Sequence, residues 1–143
     1  MTMTNQAGAA APLTARVRWS RAALSAVAWL FAAAILVQIY LAGRGVFVGP
    51  GEWQRHKDFV HAFEWASPVA VVLVYLARAP RAMKWLAWLT VAQLWLQYTF
   101  ADLRSAGTRG PWSPLHPVNG VLLFWVVTEL ARRATRLARR PAV

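Results

Sequence analysis

His61 and Glu64, three residues apart, and His116, set before Pro117, are side chains whose types and spacing could do chemistry. At about 100° per helical residue, Asp58, His61 and Glu64 share one sector of roughly 120°, whereas His56 stands five positions from His61 and points elsewhere. Pro68 follows two turns beyond His61 on the same face. As an interior proline it leaves the Glu64 carbonyl without its helical donor and bends the helix. In Leu115-His116-Pro117-Val118-Asn119-Gly120, the glycine lies one turn from His116 on the same face. Without a side chain there, a flat group can approach the imidazole closely.

One imidazole from each of two facing helices at similar depth is the donor set that holds a haem iron on both axial sides. The three histidines allow one such b-type haem, with His61 and His116 as iron ligands, Glu64 and Gly120 at its pocket, and electron transfer as the chemistry. Arg44, Arg55, Arg104 and Arg109 suit two propionates as partners. A mixed carboxylate and imidazole metal site from Asp58, His61, Glu64, Asp102 and His116 is a second option. Di-iron bundles use Glu-x-x-His on two helices, and this chain carries only the reverse order, His61-x-x-Glu64, once, so that option narrows to a single zinc or copper ion.

Two readings of other kinds stand beside these. The histidines are equally explained as helix-end residues near the headgroups, in which case the chain is a non-enzymatic accessory or scaffold subunit. Alternatively Glu64 carries protons or cations, because a central carboxylate costs about 2.5–3.5 kcal/mol on insertion scales unless it is partnered or protonated. His61, His116 and Gln97 are its candidate partners. Gln93 and Gln97, spaced i, i+4, are expected to bond across to neighbouring helices.

The elements that must position these groups are four apolar stretches. They run from about Ala22 to Ala42, Asp58 to Ala77, Met83 to Phe100, and Pro117 to Leu130 or Ala131. A stretch of about 20 residues at about 1.5 Å each crosses a ~30 Å hydrocarbon layer. Gly43, Gly45, Gly49, Pro50 and Gly51 are expected to stop the first helix, Arg78-Ala79-Pro80-Arg81 to make a tight basic turn, and Gly107, Gly110, Pro111 and Pro114 to keep residues 101–115 from being helical throughout. Pro117 suits a first helical turn. Residues 1–15 form a disordered N-terminal tail by composition, 16–131 the four-span domain, and 132–143 a basic tail. The first stretch is too long for a cleaved signal region and is read as a retained span.

The fold class is therefore all-α, an integral membrane antiparallel four-helix bundle. Hydrophobic residues make up 58% of the 143, and nine are Trp, far above a soluble domain of this size. Trp19, Trp53, Trp85 and Trp112, at span ends, read as interfacial belts. The net charge of +11 does not point to nucleic acid, because the basic residues flank apolar runs instead of lining one soluble face. Eleven of the sixteen Lys and Arg side chains fall on the side of the two termini, which places both in the cytoplasm. Glu129 is expected to pair with Arg132 or Arg133. With no cysteine, disulfide, thiolate and iron–sulfur chemistry are excluded. No nucleophile motif or Gly-rich phosphate loop appears. The lipid bilayer is the expected partner, together with a membrane protein of unspecified kind, and the oligomeric state is open.

Gln38 with Tyr40-Leu41-Ala42-Gly43 leading into Val46-Phe47, His61 early in the second span, and Leu115-His116-Pro117-Val118-Asn119-Gly120 together resemble a family of small four-span bacterial membrane proteins carrying a domain of unknown function. The likeness covers most of residues 21–131 and implies the four-helix fold in a bacterial cytoplasmic membrane. More loosely, histidines on the second and fourth helices look like the four-helix halves of haem A synthase and of cytochrome b561-type proteins. That resemblance implies haem ligation by His61 and His116. A b561-type protein uses four histidines for two haems, more than this chain has.

Overall fold

The computed structural model describes residues 13–102, 104–105 and 108–140. It is all-helical apart from one short extended pairing. Four rods account for the helices among the described residues: α1 (Ala15–Phe47); a second rod made of a 3-10 turn (Pro50–Glu52), α2 (Trp53–Phe63) and α3 (Ala66–Leu76); α4 (Arg81–Asp102); and α5 (Leu115–Ala138). Between α4 and α5, residues 104–105 and 108–109 pair antiparallel as β1 and β2.

α1 begins earlier than the apolar pattern suggests because Thr14 caps it, its hydroxyl oxygen accepting from the Val17 N–H at 3.4 Å. It also continues through Gly43 and Gly45, which do not stop it. Gly45 serves a close approach instead: a Cβ there would stand 2.5 Å from ring atoms of Trp53. At about 1.5 Å per residue, the 33 residues of α1 reach about 50 Å.

The second rod breaks at Glu64 and Trp65. Pro68 has no N–H to give the Glu64 carbonyl, and the Ser67 N–H reaches it instead at 3.4 Å. The expected bend is thus a break between α2 and α3. α3 ends in a left-handed residue, Arg78 at φ 49°, with the Ala79 N–H closing on the Val74 carbonyl at 2.9 Å. Across the bundle, Arg21 Nε donates to the Ala77 carbonyl at 3.3 Å, satisfying a terminal acceptor of α3. α5 runs to Ala138, so most of the basic segment after Ala131 is helical. The tail assigned to residues 1–15 lies, up to residue 12, outside the described residues, as do residues 141–143.

The rods pack in a ring: α1 lies against α3 and α5, and α4 against α3 and α5. Successive rods are antiparallel neighbours, and α5 closes on α1. Leu24, Ala28, Val74, Ala87, Leu130 and Ala134 form the core at the end of the bundle near the chain termini. Phe31, Ala32, Ile35, Leu123 and Val127 form the core nearer the opposite end. Two helical stretches, Ala15–Phe47 and Pro50–Leu76, are long and apolar enough to cross a membrane.

Candidate functional site: a histidine pair at one end of the bundle

The end of the bundle formed by the α1 C-terminus, α2, the α4 C-terminus and the α5 N-terminus gathers the polar side chains. At its centre stand His56 and His116, ring centroids 6.2 Å apart and planes at 68°. His56 Nδ1 lies 3.1 Å from the Gln38 carbonyl, and the Gln38 Nε2 donates back to the His56 carbonyl at 2.8 Å. His116 Nδ1 lies 2.9 Å from the Gln97 carbonyl. A carbonyl only accepts, so each ring carries its proton on Nδ1 and keeps the lone pair on Nε2. Trp53 stands edge-on to His56, with centroids 5.6 Å apart.

Beneath the pair, Asn119 ties α5 to α4. Its Nδ2 donates to the Gln93 carbonyl at 2.8 Å and to Gln97 Oε1 at 2.9 Å. The Gln97 side chain therefore bonds across to α5, as its position suggests, whereas Gln93 is joined to α5 through its backbone carbonyl alone. Gly120 is covered: a Cβ there would meet Gln97 Nε2 at 3.0 Å. The face beside His116 that looked open in the sequence is occupied by this amide.

His61 sits elsewhere. It is exposed, its Nδ1 3.2 Å from Glu64 Oε1, and Glu64 Oε2 also accepts from the Tyr98 hydroxyl. The structure thus brings His116 together with His56 and gives His61 to Glu64. Of the partners considered for Glu64, it takes His61; Tyr98 carried no signal in the sequence that marked it. On the same exposed side Gln54 Nε2 donates to Asp58 Oδ1 at 2.6 Å. Among the described residues no three His, Cys, Asp or Glu side chains converge as a metal cage. The mixed site from Asp58, His61, Glu64, Asp102 and His116 is accordingly not assembled.

At the rim, Glu52 Oε2 accepts from Arg44 Nε at 2.9 Å and from Arg55 Nη1 at 3.1 Å. Two of the four arginines assigned to propionates are thus engaged with a carboxylate; the side chains of Arg104 and Arg109 lie outside the described residues. At the other end of the bundle Glu129 accepts from Arg133 Nε at 2.7 Å, the expected i, i+4 pair.

No curated protein and no solved structure matches the chain. Residues 38–106, which hold Gln38, His56, His61, Glu64, Gln93 and Gln97, are similar to a family of unknown function, DUF6220.

Proposed function

We propose that the chain is a four-span protein of the cytoplasmic membrane, both termini inside, that binds one b-type haem between His56 and His116 and serves electron transfer. The membrane part rests on the two long apolar helices and on the bulky side chains the bundle turns outward, among them Leu30, Val72, Trp95, Val121 and Trp125. The charge bias toward the termini orients it.

The ligand reading is carried by one observation: two imidazoles on different rods, each with Nδ1 bonded to a backbone carbonyl and Nε2 left to coordinate. A ligating histidine donates its other N–H to a carbonyl or carboxylate in the same way. His56 and His116, whose ring centroids stand 6.2 Å apart, would hold the iron through their Nε2 atoms. His56 takes the place that the sequence assigned to His61. A haem held by two histidines supplies one-electron chemistry with its potential tuned by these ligands and their hydrogen bonds. Gln38 and Gln97 orient the rings through their carbonyls.

Absorbance spectra of protein purified after expression with added haem test this. A Soret band is expected in the native chain and in His61→Ala, and is expected to be lost in His56→Ala and His116→Ala. Its absence from the native chain, or its survival without both His56 and His116, overturns the proposal.

A second reading is favoured by a different fact: Gln38–His56, His116–Gln97 and Asn119–Gln93 each join two rods. An accessory or scaffold subunit whose polar groups only hold helices together fits these bonds. It is the reading left standing by a colourless protein.

A further inference from the structure

Gln93 faces the bundle interior at 7% exposure, and its Oε1 has no protein donor among the described residues. Two sets of nearby donors are committed, Asn119 and the Thr90–Ser67 hydroxyls. Both protons of Asn119 Nδ2 are given away, one to the Gln93 carbonyl and one to Gln97 Oε1. One turn before Gln93 on α4, the Thr90 hydroxyl donates to the Ala87 carbonyl at 2.7 Å. A hydroxyl has one proton, so in the 3.0 Å contact between Thr90 and Ser67 it is Ser67 that donates. Both hydroxyl protons of this pair are therefore used.

The shortage recurs higher up. Gln38 Oε1 is a second buried acceptor with no protein donor among the described residues. Buried acceptors in folded proteins are hydrogen-bonded. The occupant must bring donors. A cation is disfavoured because no carboxylate faces Gln93 in any contact made there, and an unpaired buried charge is costly. Water brings two donors and no charge. Below Thr90 and Ser67, each fully buried, the tightly packed Val74, Ala87 and Leu130 close the column.

We propose that Gln93 anchors an internal water cluster, reached from the rim past His116 and Asn119, which brings solvent, and with it exchangeable protons, to the middle of the bundle. About 18 Å of helix separates Thr90 from the end of α4 at Asp102, which is the depth such a column spans. The inference needs neither the bilayer nor the haem, so it stands or falls separately from the proposed function.

The test uses the full chain in detergent, labelled with nitrogen-15 in Gln and Asn side chains. Cross-peaks between water and the Gln93 side-chain protons are expected in the native protein. Gln93→Leu is expected to lower Tm by several degrees, because the water loses its anchor. Gln93→Met, which keeps the length of the side chain, serves if the leucine variant fails to fold. Absence of the cross-peaks overturns the proposal, and so does a rise in Tm on either substitution, which would mean that a dry, unpaired oxygen had been removed.

Discussion

Gln38 and His56 are bonded to each other twice in opposite senses: amide to backbone carbonyl at 2.8 Å, and imidazole to backbone carbonyl at 3.1 Å. The exchange ties the C-terminal part of α1 to the start of α2 and sets the tautomer of the ring. It also keeps that ring half-buried beside His116.

Gly45 lets Trp53 lie against α1. Gly45→Ala puts a methyl group 2.5 Å from the indole, and overpacking of this kind costs typically about 1–3 kcal/mol. Denaturant titration should show that loss, and the displaced Trp53 should weaken any ligand held by His56.

Asn119→Leu removes two bonds that join α5 to α4 and leaves Gln97 Oε1 without its donor. A buried acceptor stranded in this way costs about 1–3 kcal/mol. The expected drop in unfolding free energy is of that size. An unchanged midpoint would show that the bond is dispensable.

Arg78 sits in the left-handed region at φ 49° where α3 ends. A side chain there costs roughly 1–2 kcal/mol, part of which glycine returns as backbone entropy in the unfolded chain. Arg78→Gly is expected to raise Tm modestly. A lower Tm would mean that the arginine makes a contact worth more than the strain.

Much of this architecture is written in local pattern. The apolar stretches and the Pro and Gly punctuation between them specify four rods, because helix length and interruption are set by neighbouring residues. Pro68 announces the break at Glu64, and the spacing of Glu129 and Arg133 announces their pair. Where caps decided, the pattern fell short. Thr14 carries α1 back to Ala15, and the glycines at 43 and 45 read as a stop although the helix passes through them.

What the chain alone determined is therefore the set of rods and the concentration of polar residues toward one end of the bundle, since both depend on composition within a few turns. Which histidine meets His116 was decided only by tertiary packing. Periodicity places His56 and His61 at different angles on α2, but says nothing of which angle faces α5. The break at Glu64, the seating of Trp53 on Gly45 and the clasp of Gln38 fix the rotation of α2, turning His56 inward and His61 out to Glu64. Those contacts join residues distant in sequence, and their geometry exists only once the rods are packed.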